Sequence, residues 1–151
     1  MRYHNHSHCQ GVLASRDAGQ GLFVLYQYVM ESSHKIVAHP ALCMLEITMS
    51  GLFDAAHAGQ FAADKQAAFE RLQCEPNRHV TLVDVTECLI QPQNVVGIFQ
   101  SIIADPRFKA RRIAFVVGGS LAKMQLRRIL DGREARYFDD RASAEGWLLE
   151  R

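Results

Sequence analysis

The chain has 151 residues, 48% of them hydrophobic, and a formal net charge of +1 at pH 7. This length is typical of one domain with a sizeable core, and the composition excludes an intrinsically disordered chain. The near-neutral charge does not favour bulk binding of nucleic acid, so no nucleic-acid partner is predicted. No apolar run reaches the roughly 18 residues that a membrane-spanning helix requires, so stable membrane insertion is not predicted either.

The four cysteines, Cys9, Cys43, Cys74 and Cys88, form no CxxC pair. Cys43 and Cys88 lie within apolar runs, where cysteine behaves as a small hydrophobic residue. This pattern predicts free thiols in a reducing, cytoplasmic setting. Residues 22–30 form a short apolar run, but its polar flank and the lack of a following cleavage site do not indicate a signal peptide.

Residues 1–33 differ in composition from the rest of the chain. They begin with a polar, histidine-rich stretch that contains the motif HxHxHC over residues 4–9. Imidazole and thiolate groups suit Zn²⁺ or Ni²⁺, but a tail without a second ligand pair from a rigid element favours adventitious binding. We therefore predict no metal site and no cofactor, a loosely ordered extension over residues 1–33, and an ordered domain over residues 34–151.

The ordered domain opens with a predicted β-hairpin over residues 35–51, in which Pro40-Ala41 marks the turn. Asp54 is the expected N-cap of an amphipathic helix that runs to about Gln73. The run Val80 to Val85 is short and rich in β-branched residues, which indicates a strand buried on both faces.

Further elements alternate between helix and strand. Pro92 is expected at the first position of a helix whose apolar stripe is the clearest in the chain. A buried strand over residues 113–117 leads into the turn Gly118-Gly119-Ser120, with Ser120 as the N-cap of a helix that stops at Gly132. The apolar stripe of the helix that begins at Pro92 comprises Val95, Ile98, Phe99, Ile102 and Ile103.

A last strand is predicted over residues 134–138, followed by a helix capped by Asp140. Ala144, Trp147 and Leu148 of this helix are expected to face the core. The resulting order is β-β-α-β-α-β-α-β-α, and helices between strands imply parallel pairing through right-handed crossovers. The predicted fold class is α/β, a small, mostly parallel sheet covered by helices.

The order and several short motifs resemble the STAS superfamily, and more closely its SpoIIAA-like bacterial branch, which is also described as STAS/SEC14-like. The resemblance covers about residues 34–151. It implies a regulatory or binding module and no enzymatic activity. The motifs are Leu82-Val83-Asp84, Val116-Val117-Gly118 before Ala122-Lys123-Met124, and Phe138-Asp139-Asp140 before a tryptophan-bearing helix.

Anti-sigma-factor antagonists of this superfamily carry a phosphorylatable Ser or Thr in the turn after the central strand. The corresponding turn, Ile90 to Asn94, reads IQPQN and contains no hydroxyl, and Thr86 belongs to the end of the strand. We therefore expect a non-catalytic STAS-like regulatory or protein-interaction module that lacks this phosphorylation site. It would bind a protein partner or a second copy of itself.

The alternative is a carrier or sensor of a small ligand of the same fold. The SEC14-like comparison implies an apolar, lipid-like ligand, whereas the helix start at Gly118-Gly119-Ser120 could cradle an anion. Aromatic residues are numerous enough to line an apolar pocket, although the default interpretation is a packed core. These aromatic residues are Phe53, Phe61, Phe99, Phe108, Phe115 and Trp147.

The carboxyl ends of parallel strands meet at one edge of a sheet, where loops vary without disturbing the core. We therefore expect the segment after the central strand and the turn after the next strand to form one binding surface. Its candidate residues are Thr86, Gln91, Gln93, Asn94, Gly118, Gly119, Ser120 and Lys123.

An enzymatic interpretation would need a nucleophile beside a base. Cys88 and His79 are candidates, but they bracket the central strand, and a separation on the order of 25–30 Å at ~3.3 Å per residue rules the pair out. Asp84 lies in mid-strand and needs partners there. We expect its carboxylate to accept hydrogen bonds from backbone N–H groups of a neighbouring loop.

Overall fold

The computed structural model describes residues 19–25, 30–130 and 134–151. The chain divides into two compact units, Met1–Glu31 and Ser32–Arg151. In the first unit, residues 19–25 are helical. The HxHxHC motif over residues 4–9 lies outside the described residues.

A sheet of five strands forms the centre of the second unit, within its described residues. The strands lie side by side in chain order, β1-β2-β3-β4-β5. β1 and β2 are antiparallel, and every later neighbour pairs in parallel, as the sequence predicts. Their bounds are β1 Ser33–His39, β2 Met44–Gly51, β3 Val80–Cys88, β4 Arg112–Val116 and β5 Ala135–Phe138.

Four α-helices follow the last four strands. They are α1 (Ala55–Leu72), α2 (Gln93–Ala104), α3 (Ser120–Ile129) and α4 (Arg141–Leu149). Short 3₁₀ turns occupy Pro40–Leu42 and Pro106–Phe108. The predicted order of elements and the α/β class are confirmed.

The two faces of the sheet carry different helices because successive strand residues point to opposite sides. Val83 and Val85 of β3 belong to the cluster that contains core residues of α1 and α2. Leu82 belongs to a second cluster, which packs against Trp147 and Leu148 of α4. Residues of α3 pack against the first cluster, so three helices cover one face and α4 covers the other.

Helix ends match the predictions at two positions and differ at two. Asp54 and Asp140 act as N-caps, since their carboxylates accept hydrogen bonds from the backbone N–H groups of His57 and Ser143 at 2.7 and 2.8 Å. Pro92 is itself the N-cap residue and not the first residue of α2.

The start of α3 also differs from the prediction. Gly119 occupies the N-cap position in an extended conformation, and Ser120 is the first helical residue. In the part of the chain that the structure describes, no side-chain hydrogen bond caps this end of the helix. The expected N-cap role of Ser120 is therefore wrong, because the helix begins one residue earlier and Gly119 is the last extended residue before it. The predicted stop at Gly132 lies outside the described residues.

Cys43 and Cys74 form a disulfide with a Cα–Cα distance of 6.0 Å. The bond joins the residue before β2 to the segment after α1, so the prediction of free thiols is wrong for these two residues. The cysteines therefore no longer indicate a reducing, cytoplasmic setting. Cys88 is a free thiol, and Cys9 lies outside the described residues. Sequence spacing could not show this pairing, since 31 positions separate the two cysteines.

Candidate functional site

The structure brings the ends of β3 and β4 together, as the topology predicts. A Cβ atom placed on Gly118 would lie 3.3 Å from the carbonyl oxygen of Thr86. This approach is tighter than nearly all side chains accept, which explains a glycine at the second position after β4. Thr86 and Gly118 are thus immediate neighbours at the carboxyl edge of the sheet.

Asp84 supports this edge through Thr86. Its carboxylate oxygen Oδ1 accepts a hydrogen bond from the Thr86 backbone N–H at 3.0 Å and another from the Thr86 hydroxyl. The expectation that a neighbouring loop supplies these donors is wrong. Both donors belong to Thr86, which lies two positions after Asp84 on the same strand. The Thr86 hydroxyl is therefore engaged within β3.

Gln91 has a structural role that the sequence did not reveal. Its side-chain oxygen accepts from the backbone N–H of Phe53 at 2.8 Å, and its Nε2 donates to the carbonyl oxygens of Gly51 and Leu89 at 3.0 and 2.6 Å. The amide thus connects the segment after β3 to the end of β2. It is not free to form the polar contact surface expected of it.

The backbone of Gln91 is also engaged. Its N–H donates to Gln125 Oε1 at 3.0 Å, and its carbonyl oxygen accepts from Gln125 Nε2 at 2.8 Å. Gln125 lies on α3, so this pair joins the β3–α2 loop to α3. The sequence contained no signal for the pair, because it depends on tertiary proximity.

The other predicted residues lie at the starts of two helices. Gln93 and Asn94 are exposed in the first turn of α2, and Gly119 and Ser120 are exposed at the start of α3. Lys123 Nζ lies 3.2 Å from Asp139 Oδ1, so its charge is paired at the surface and is not available as a lone cation. A pair this exposed contributes little stability.

Three large apolar side chains are exposed at the same edge. Ile90, Leu121 and Met124 are 49%, 68% and 55% exposed. They lie on the two segments that the Gln91–Gln125 pair joins, and we call them the edge patch. The helical periodicity of α3 could have revealed two of these residues. Ala122, Leu126 and Ile129 form its inward apolar stripe, and Leu121 and Met124 lie outside that stripe.

An apolar cavity of about 120 Å³ lies between the sheet and the three helices on its first face. It reaches the carboxyl edge at Leu89 and Gln91. Trp147 does not line it, because this residue packs on the other face of the sheet. The other five aromatic residues noted in the sequence, Phe53, Phe61, Phe99, Phe108 and Phe115, all line it.

The face of α4 offers no free aromatic surface. Trp147 is 6% exposed, and the guanidinium groups of Arg112 and Arg136 lie 5.2 and 5.0 Å from its ring. Arg112 also donates to the Trp147 carbonyl oxygen at 2.9 Å. These two arginines therefore hold α4 against the sheet.

The excluded catalytic pair lies at opposite ends of β3, as expected. His79 precedes the strand and Cys88 ends it. Burial raises the pKa of the Cys88 thiol to about 12, with smaller contributions from Asp84 and Glu87. A thiol with this pKa is protonated at neutral pH and is a poor nucleophile.

Within the described residues, no group of three or more His, Cys, Asp or Glu side chains is placed to hold a metal ion. Among the same residues, no helix is both long enough and apolar enough to cross a membrane.

Comparison with known proteins confirms the fold. The chain is similar to the crystal structure of an uncharacterized protein of the DUF3478 family with a SpoIIAA-like fold from Shewanella loihica PV-4, with a TM-score of 0.61 and 17% identity. The similarity covers 78% of this chain and 93% of that one. No family model and no curated protein matches the chain. The chain therefore has a SpoIIAA-like fold, as the sequence predicts.

Proposed function

We propose that this chain is a non-catalytic regulatory module that binds a protein partner through the carboxyl edge of its sheet. The observation that carries the proposal is the edge patch, Ile90, Leu121 and Met124, which exposes apolar side chains beside Gln93 and Asn94. Apolar patches with a polar rim are typical of protein–protein contacts. The resemblance to a family of regulatory modules supports the same conclusion.

The absence of a hydroxyl in the turn Ile90 to Asn94 separates this module from the phosphorylated antagonists. In our proposal, regulation therefore does not depend on phosphorylation of that turn. Partner binding would instead respond to partner concentration or to a ligand.

The test compares proteins retained from a lysate of the source organism by the immobilised full-length chain and by two variants. Leu121→Asp places a charge in the edge patch. Leu42→Asp is the matched control, because Leu42 is 48% exposed in the turn before β2, at the opposite end of the sheet. We expect a specific partner to be lost with Leu121→Asp and retained with Leu42→Asp.

Thermal unfolding of both variants should remain close to that of the unmodified chain, because exposed substitutions usually change stability by about 0.5 kcal/mol or less. Sedimentation velocity tests whether the partner is a second copy of the chain. Equal retention by both variants, with unchanged self-association, would overturn the proposal.

A second candidate function is binding of a small ligand. One observation favours it, the apolar cavity that opens at the same edge. Its volume of about 120 Å³ is smaller than the few hundred Å³ of most ligand pockets, so this function remains second to partner binding.

A further inference from the structure

The disulfide between Cys43 and Cys74 lies at the amino edge of the sheet, at the end opposite to the edge patch. Cys43 directly precedes β2, and Cys74 is the second residue after α1. Both cysteines are half-buried, and the four residues that follow Cys74 are all exposed. Because access to the sulfur atoms governs thiol–disulfide exchange, a thiol in solution can reach this bond.

The backbone at both ends of the bond adopts the left-handed conformation. Cys43 has a φ of 50° and a ψ of 46°, and Gln73, the residue before Cys74, has a φ of 53° and a ψ of 32°. Residues with a Cβ atom disfavour this region, because Cβ approaches the following carbonyl oxygen too closely. Opening the bond removes one of the constraints on these two positions, which favours the reduced form.

His79 lies beside Cys43, just before the neighbouring strand. The backbone N–H of Val80 donates to the carbonyl oxygen of Cys43 at 3.0 Å, and β2 and β3 pair in parallel from the residues that follow Cys43 and His79. The ring of His79 packs 5.0 Å from that of Phe69 on α1, and Phe69 and Cys74 pack against the same core cluster. The imidazole therefore lies in the same layer as the disulfide, between the sheet and the carboxyl end of α1.

The polar atoms of the His79 ring have no partner in this layer. The residue is 1% exposed, and neither ring nitrogen forms a hydrogen bond among the described residues. Such a group is unfavourable, and the large majority of buried polar groups in proteins are paired. Burial lowers the pKa of His79 to about 4, so near pH 7 the ring is neutral and one nitrogen accepts hydrogen bonds. A disulfide has no S–H to donate to that nitrogen, whereas a thiol has one.

We propose that the bond between Cys43 and Cys74 is a redox-active disulfide that exchanges with thiols, and that the Cys43 thiol of the reduced form donates a hydrogen bond to the His79 imidazole. Reduction frees the Cys43 side chain to rotate towards the ring. It also releases the carboxyl end of α1 from the turn before β2, so the chain has two forms. This site does not require a protein partner at the edge patch, so the two proposals can fail separately.

The exchange proceeds in two steps. A thiolate attacks Cys74 Sγ, the bond between the two sulfur atoms breaks, and Cys43 leaves as a thiolate that takes up a proton from solvent. A second thiolate then attacks the external sulfur of the mixed disulfide and releases Cys74, which is protonated in turn. The two cysteines together gain two electrons and two protons, and the two external thiols become one disulfide. An excess of that external disulfide reverses the reaction.

The test equilibrates the full-length chain at neutral pH in buffers of reduced and oxidised glutathione. Alkylation and peptide mass spectrometry then give the reduced fraction of Cys43 and Cys74, and we expect both forms of the unmodified chain across these buffers. His79→Leu cannot accept a hydrogen bond, so its equilibrium should shift about fivefold towards the disulfide, the equivalent of one hydrogen bond. His79→Gln should recover most of this shift, because its amide oxygen accepts a hydrogen bond.

The unmodified chain supplies a second readout that needs no variant. On reduction, the nitrogen NMR signal of the unprotonated ring nitrogen of His79 should move as expected for an accepted hydrogen bond. The signals of His57, an exposed residue in the first turn of α1, should not change. A bond that stays oxidised in every glutathione buffer, or cysteines that stay reduced in all of them, would overturn the redox role. Equal equilibria in the three chains, with an unmoved His79 signal, would overturn the role of His79.

Discussion

Gln91 and Gln125 are joined by two reciprocal hydrogen bonds, one from the Gln91 backbone N–H to Gln125 Oε1 at 3.0 Å and one from Gln125 Nε2 to the Gln91 carbonyl oxygen at 2.8 Å. The pair connects the loop after β3 to α3. Both glutamines line the cavity, and the edge patch lies on the two segments that they join, so both features depend on where the pair holds α3.

The first prediction is that Gln125→Ala loosens α3. The substitution removes both bonds of the pair, and each such bond contributes on the order of 1 kcal/mol. Hydrogen exchange should accelerate in the backbone amides of α3 and much less in those of α1. Gln66→Ala is the control, since among the described residues the Gln66 amide bonds only to Glu70, on the exposed face of α1, at 3.4 Å. Unchanged protection of α3 in Gln125→Ala would show that the pair does not hold the helix.

A second prediction concerns the disulfide. Cys43→Ser or Cys74→Ser should lower the free energy of unfolding by about 3 kcal/mol, because the bond closes a loop between positions 31 residues apart. For a chain of this length the midpoint should fall by about 10 °C. Cys88→Ala, which removes a free thiol, is the control.

Intact-mass measurement after alkylation of the unfolded chain tests the same bond directly. Reduction before alkylation should add two modified thiols. If the unreduced, unfolded chain already takes up label at all four of its cysteines, the disulfide is absent and the original expectation of free thiols was correct.

A third prediction is a loss of stability in mild acid that depends on His79. This residue is 1% exposed, neither of its ring nitrogens has a hydrogen-bond partner among the described residues, and its ring packs 5.0 Å from that of Phe69. Burial, and to a lesser extent the charge of Lys65, lowers the pKa of His79 from 6.5 to about 4. The imidazolium therefore forms readily only in the unfolded chain.

The sign of the change in stability with pH follows from which state, folded or unfolded, binds more protons. Between pH 6.5 and about 4 the unfolded chain takes up a proton at His79 that the folded chain does not, so stability falls as the pH is lowered through this range. The total loss is about 3 kcal/mol. Denaturant unfolding across this range should show a shallower slope for His79→Leu. An equal slope in His79→Leu and in the unmodified chain would contradict the assignment to His79.

Secondary structure followed from local signals in the sequence. The apolar stripe of α2 has helical periodicity, and the β-branched run at Val80 to Val85 is too short for a stable helix, so both elements were predictable. Their order then fixed the parallel pairing. The prediction for the N-cap of α3 was wrong. Serine and glycine are both acceptable N-cap residues, so the local sequence Gly119-Ser120 does not show which of the two precedes the helix.

Three features that the sequence did not reveal, the disulfide, the contacts of Gln91 and the cavity, depend on residues distant in sequence. Cys43 meets Cys74, and Gln91 meets Phe53 and Gln125, only once the chain has folded. The cavity likewise results from how several elements fill a shared volume, which no periodicity encodes. The candidate edge was predicted from topology, whereas its polar members were chosen by residue type alone, and Gln91 and Lys123 proved to be engaged within the fold.

Site-specific photo-crosslinking would show directly whether the carboxyl edge binds a protein partner. A photoreactive amino acid would replace Leu121 in one full-length chain and Leu42 in another, since these exposed residues lie at opposite ends of the sheet. We expect a discrete cross-linked partner, or a cross-linked dimer, from position 121 and none from position 42. The same adduct from both positions, or an adduct from position 42 alone, would contradict it.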